Sequence, residues 1–135
     1  ATPLLKETFG APNPQEAVKM MLEAKANNPK LLIGLAFLAC IVAPVCEEIV
    51  FRGYFYGVMK RFSCRYFAAI ITGLIFGLVH ISMWSLAPLV VIGIILAIVY
   101  ELSGSLWAPI ICHCLFNSIS TYFMIFVQDV NSLPY

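Results

Sequence analysis

Four long apolar runs leave this chain few folds to choose from. They cover residues 31–59, 66–83, 86–102 and 106–127. Each is near or above the ~17–25 residues that carry an α-helix across a bilayer. The separators are short: residues 60–65, then Trp84-Ser85, then Ser103-Gly104-Ser105. Short connections make consecutive helices antiparallel neighbours. The expected fold is all-α, a polytopic membrane bundle of four transmembrane helices preceded by an N-terminal amphipathic helix. Composition agrees. Hydrophobic residues make up 61% and charged residues 11% of the 135, against roughly 25% charged in soluble domains. Mean hydropathy is +0.92. A soluble protein this small must cover most of its surface with polar side chains, and this one lacks them. The net charge of +1 gives no pull toward nucleic acid. The expected partner is the lipid bilayer, and the expected location a prokaryotic plasma membrane or an organelle membrane, as an integral multi-pass protein.

Residues 1–30 form the polar segment, and residues 31–135 the bundle. Asn13-Pro14-Gln15-Glu16 reads as a helix start, with an Asn cap, Pro in the first turn and Glu three residues after the cap. Val18, Met21 and Leu22 supply a short apolar stripe, and Asn27-Asn28-Pro29 ends it. An interfacial or docked helix follows from that pattern. The chain opens on Ala1 rather than Met, which reads as a processed or truncated product. Lys60, Arg61 and Arg65 place the first loop of the bundle on the cytoplasmic side, with Lys25 and Lys30 pulling the other way. Cys40, Cys46, Cys64, Cys112 and Cys114 are odd in number and contain no CxxC. They read as small buried apolar residues rather than a disulfide framework. Cys112 and Cys114 point roughly 200° apart on a helix, so Cys112-His113-Cys114 is not a metal cluster.

Ionisable residues inside the apolar runs carry the functional signal. Glu47, Glu48 and Arg52 lie in the first run, His80 in the second, and His113 with Asn117 in the fourth. A charge at a helix centre costs about 2.5–3.5 kcal/mol on insertion scales. Glu101, near the end of the third run, reads as an interfacial charge. Glu48 and Arg52 are four apart and can pair, which leaves Glu47, about 100° round the helix, to face elsewhere. Phe76 with His80, and His113 with Asn117, repeat the same spacing. At ~1.5 Å per residue, Glu47 lies roughly 20 Å from Lys60, and His80 roughly 22 Å from Arg65. On the same rise His113 and Asn117 lie roughly 12 and 18 Å from Ser105. Antiparallel helices therefore bring all four into one layer inside the bilayer. Pro44, one turn before Glu47, removes a helix hydrogen bond. Gly73 and Gly77 make a GxxxG step suited to close helix approach.

Two carboxylates, two imidazoles, an amide and a guanidinium suit water activation. Glu47 is the candidate general base, His80 orients the same water, and Arg52 holds Glu48 ionised. His113 and Asn117 are candidate donors to an oxyanion. No GxSxG nucleophile motif is present. Two alternatives stand beside this peptidase reading. One is a zinc metallopeptidase with Glu47, His80 and His113 as ligands. The other is a non-enzymatic carrier with a buried proton relay.

Glu47-Glu48-Ile49-Val50-Phe51-Arg52 resembles an EExxxR motif, Phe76 to His80 an FxxxH motif, and His113 to Asn117 an HxxxN motif. Together, over about residues 36–120, they resemble the CAAX protease and bacteriocin-processing (CPBP, or Abi) family of intramembrane glutamate endopeptidases. Ala43-Pro44, Gly53 and Gly104-Ser105-Leu106-Trp107 with Pro109 fit the same pattern. The resemblance implies a type II CAAX prenyl endopeptidase-like enzyme that needs no metal or other cofactor. It implies Glu47 as base with His80 as its water-binding partner. His113 and Asn117 form the oxyanion hole, and Glu48 and Arg52 are supports. The implied substrate is a membrane-embedded or membrane-associated polypeptide. Family members generally have more than four spans, so this chain reads as a core fragment or a minimal member.

Overall fold

The computed structural model describes residues 14–80 and 85–126, with side chains from Val18 onward. Five helices account for nearly all of it: α1 (Pro14–Asn27), α2 (Pro29–Phe62), α3 (Arg65–Val79), α4 (Leu86–Ser103) and α5 (Trp107–Phe126). No strand occurs among the described residues, so the all-α class holds. Three helices, α2, α4 and α5, are long and apolar enough to cross a membrane. Helix α3 is apolar but has only 15 residues. It spans about 22 Å at the α-helical rise, short of a hydrocarbon core of about 30 Å. The expected second run continued to residue 83, and residues 81–84 lie outside those described, as do Asn13 and Val127.

The burial pattern is that of a protein whose outside is lipid. Ile33, Phe62, Leu102 and Trp107 are 70–84% exposed, while Glu48 and Arg52 are 0% and 1% exposed. Helix ends follow local chemistry. Asn28 Oδ1 accepts from the Leu31 amide at 3.2 Å and caps α2, where Pro29 needs no N–H partner. Gly104 takes φ +65° and ends α4 with its N–H on the Tyr100 carbonyl at 2.9 Å. Helix α1 is docked: Met21, Leu22 and Ala24 are buried. Lys25 Nζ donates to the Ile125 carbonyl at 2.6 Å, placing a cation on an orphan acceptor in the last turn of α5.

The closest packing lies between α3 and α4. A Cβ on Gly73 would sit 2.9 Å from the Ile94 amide nitrogen, and one on Gly93 would sit 3.0 Å from Gly73 Cα. Backbone therefore touches backbone, as the GxxxG spacing predicts. Helix α2 departs from α geometry twice, with π-helical stretches at Leu38–Val42 and Ile49–Tyr56 on either side of Glu47 and Glu48. Single π turns inside long helices concentrate at functional sites.

The cysteine expectation holds only in part. All five are free, but Cys46, Cys64 and Cys112 are exposed and Cys40 and Cys114 are half-buried. On a lipid-facing surface an apolar side chain gains nothing by turning inward, so apolarity no longer reports burial.

Candidate active site

Helix α2 presents Glu47 and Glu48 in different directions, as their 100° offset requires. Glu48 points into the bundle and is fully buried. Its Oε1 accepts from Arg52 Nη1 at 2.7 Å and lies 2.8 Å from His113 Nδ1 on α5. Arg52 Nη2 donates to the Gly93 carbonyl on α4 at 2.8 Å. The Glu48–Arg52 pair thus ties α2 to both α4 and α5. The expected Glu48–Arg52 pair is present. Gly93 was not foreseen; its only trace in the sequence is a lone glycine in the apolar run of α4.

Glu47 faces the two histidines. Its Oε2 lies 3.7 Å from His113 Nε2 and 4.0 Å from His80 Nε2. His80 sits just past the end of α3, where its Nδ1 lies 2.7 Å from the Phe76 carbonyl. A carbonyl only accepts, so that nitrogen carries the proton and satisfies an orphan acceptor of the last helical turn. By the same logic His113 Nδ1–H donates to the Glu48 carboxylate. Both Nε2 atoms therefore offer lone pairs when the rings are neutral. Glu47 Oε2, a third acceptor, is buried with no hydrogen-bond partner among the described residues. Three acceptors thus converge, and Glu47 Oε2 meets no donor among the described residues.

Phe76 forms the floor of this cluster. It is fully buried, with its ring centroid 4.8 Å from that of His80 and 5.6 Å from that of His113. The Arg52 guanidinium carbon lies 5.1 Å from the same ring, within cation–π range. The site has a closed side and an open side: the side chains of His113 and Glu48 are 4% and 0% exposed, whereas those of His80 and Glu47 are 30% and 29% exposed.

Asn117 lies one turn beyond His113 on α5. Its Nδ2 donates to the Ala39 carbonyl of α2 at 3.0 Å, which leaves one amide hydrogen and the side-chain oxygen uncommitted by that bond. Glu101, near the end of α4, is paired. It accepts from Lys60 at 2.6 and 2.8 Å and from the Tyr56 hydroxyl at 3.0 Å. That pairing puts the α2–α3 and α4–α5 connections at the same end of the bundle, as the antiparallel arrangement expects.

Among the described residues, no group of three His, Cys, Asp or Glu side chains is arranged to hold a metal ion. The separations from Glu47 to the two histidines exceed the ~3.4 Å edge of a tetrahedral site with ~2.0–2.1 Å zinc bonds.

Comparison with known proteins agrees with the motifs. The family described as "Type II CAAX prenyl endopeptidase Rce1-like" matches residues 29–119, a segment that contains every candidate site residue. A Bacillus subtilis protein named "Putative membrane peptidase YdiL" is 29% identical over 110 residues, covering 82% of this chain and 43% of that protein. An Escherichia coli protein named "Uncharacterized 24.3 kDa protein" is 30% identical over 105 residues, covering 74% of this chain and 48% of its own length. The chain thus spans less than half the length of either relative. No solved structure is significantly similar. With its three motifs in order on α2, α3 and α5 and the family match spanning the bundle, this chain belongs to the type II CAAX prenyl endopeptidase Rce1-like family.

Proposed function

We propose that the bundle is the catalytic core of an intramembrane endopeptidase that uses a water molecule activated by Glu47. The observation that carries this reading is the convergence of three proton acceptors, Glu47 Oε2 and the two histidine Nε2 atoms, the first of them without a hydrogen-bond partner among the described residues. Such a set is completed by a molecule that brings its own protons, and water does so. The half-open edge at Glu47 and His80 is where water and substrate arrive.

In the proposed reaction Glu47 takes a proton from water as its oxygen attacks the scissile carbonyl carbon. His80 holds the same water through Nε2. The carbonyl oxygen becomes an oxyanion, stabilised by the uncommitted N–H of Asn117 and by His113, whose Nε2 takes a proton from solvent water before the attack and keeps it through the step. Glu48 accepts from His113 Nδ1 and from Arg52, which fixes the imidazole's orientation and aims its Nε2 at the oxyanion. The proton that Glu47 took from water then passes to the leaving amine as the C–N bond breaks. The substrate class is a membrane-embedded or membrane-associated polypeptide, cut near a prenylated or membrane-bound C-terminus. The same reading takes α3 across the membrane as a fourth pass. It begins at the end where α2 finishes and leads to the opposite end, where α4 starts.

Cleavage profiling of membrane-anchored peptides by the purified protein, beside its Glu47→Gln variant, tests this. The expected loss is about 10²–10⁴-fold with an unchanged melting temperature and no effect of chelator on the parent. Equal cleavage by the variant defeats the peptidase reading and returns the site to a proton relay. Loss of parent activity with chelator, restored by zinc, replaces the water mechanism with a metal one.

A further inference from the structure

At the loop end of the bundle, α3 starts beside the place where α4 finishes, and a cleft of about 110 Å³ opens between them. Its lining changes character with depth. Arg65, Tyr66 and Glu101 stand at the outer end, and Ala69 and Ile98 lie one helical turn further in. Gly77 faces Val90 and Gly73 faces Ile94, so the two helices run antiparallel and both turns step about 5 Å toward the middle of the bundle. Leu102, 82% exposed, borders the cleft on the lipid side. The charged groups are unequally committed. Glu101 gives both oxygens to Lys60 and one of them also to the Tyr56 hydroxyl. Arg65 forms no ion pair among the described residues. Its guanidinium carbon lies 4.9 Å from the centroid of the Tyr66 ring, and its Nη2 donates to the Tyr66 hydroxyl at 3.1 Å. That bond spends one of five N–H donors, and the hydroxyl that accepts it keeps its own proton to donate.

We propose that this cleft binds one anionic phospholipid of the leaflet at that end, with its phosphate on Arg65 and Tyr66 and the start of an acyl chain along Ala69, Ile98 and Leu102. A guanidinium presents two parallel N–H bonds to a phosphate, and the phenol adds a third donor. The lining is polar outside and apolar inside, which is the order of groups along a lipid and not the chemistry of a free anion. Charge selects among lipids. Lys60, Arg61 and Arg65 outnumber Glu101 at this end, so an anionic headgroup is attracted, whereas a choline headgroup brings one more cation. The volume is nearly four times the ~30 Å³ that a water molecule occupies in the liquid, so the cleft takes part of a lipid while the rest stays in the bilayer. A lipid held there joins the start of α3 to the end of α4. It would fix the depth of a helix that, at 15 residues, is too short to set its own. The inference stands apart from the peptidase reading, because none of these residues belongs to the candidate active site.

Native mass spectrometry of the full chain in detergent tests this, with phosphatidylglycerol or phosphatidylcholine of identical acyl chains titrated in. The parent is expected to hold one phosphatidylglycerol at least about tenfold more tightly than phosphatidylcholine, and Arg65→Gln to lose about tenfold of that affinity. Arg61→Gln is the control. Arg61 is close in sequence but does not line the cleft, and its loss is expected to leave binding within about twofold of the parent. Equal losses for the two variants overturn the proposal, because a diffuse surface potential does not distinguish them. Equal affinity for the two lipids overturns it. So does glycerol phosphate that competes as well as the lipid, which marks an anion site with no use for the acyl chain. Should Arg65→Gln fail to fold, Arg65→Lys keeps the charge and removes the planar fork. Phosphatidylglycerol binding by that variant within about twofold of the parent would overturn the proposal as well.

Discussion

Helix α2 carries one polar stripe with two different ends. Glu48, Arg52, Tyr56 and Lys60 follow one another at four-residue intervals, and each pairs within the stripe or with α4 or α5. At the loop end, Lys60 and Glu101 are 46% and 21% exposed, and both carboxylate oxygens of Glu101 accept. In the middle of the bundle, Arg52 and Glu48 are 1% and 0% exposed. There Glu48 Oε2, Arg52 Nε and Glu47 Oε2 have no hydrogen-bond partner among the described residues. The loop end ties α2 to α4 through Glu101. The buried end sits where desolvation makes every polar group most costly, so its ion pair is the more expensive one to break.

The sharpest way to break this contrast is Glu48→Ala. It leaves the Arg52 guanidinium and the His113 Nδ1–H without their shared acceptor in a buried, lipid-surrounded layer. Removing one partner of such a pair costs about 3–5 kcal/mol. A large fall in melting temperature is expected, with loss of cleavage. A variant that melts like the parent would mean that the buried end is no more structural than the exposed one.

Much of this site is written in local spacing. The pairs Glu48–Arg52 and Phe76–His80 follow from helical periodicity. The meeting of Glu47, His80 and His113 follows from equal depth on antiparallel helices. Three contacts are not legible that way: Arg52 to Gly93, Asn117 to Ala39, and Glu48 to His113. The first two end on backbone carbonyls, which every residue possesses and no side chain advertises. The third depends on how α2 and α5 rotate about their own axes, which the local spacing of either helix does not fix. The exposed cysteines were misread for a related reason, since hydrophobicity loses its inward direction when the solvent is lipid.

The α3–α4 seam connects the two ends, and Gly73→Ala sharpens the comparison there. The new Cβ would meet Ile94 Cγ1 at 2.5 Å and the Ile94 amide nitrogen at 2.9 Å. Side-chain rotation relieves the first clash but not the second, so the helices must separate. Overpacking of this kind costs about 1–3 kcal/mol. The shift reaches the site by two routes, through His80 at the end of α3 and through the Gly93 carbonyl that holds Arg52. Catalytic geometry is intolerant of displacements of about 1 Å, which can cost about 10²-fold. Cleavage is therefore expected to fall further than stability does. A proportionate fall in both would count against precise placement of His80 and Arg52.

The smallest effect belongs to the saturated end. Lys60→Met removes the ion pair with Glu101 while keeping most of the aliphatic stem, and Tyr56 remains to bond the carboxylate. An exposed pair of this type contributes about 0–1 kcal/mol, and salt screens it further. Melting temperature is expected to move by about two degrees at most, with cleavage within roughly twofold of the parent. Because Lys60 lies on the same stripe as Arg52, two helical turns away, a loss of cleavage comparable to that of Glu48→Ala would show that charge at the loop end is transmitted along α2. The two ends would then be one functional unit rather than a clamp and a reaction site.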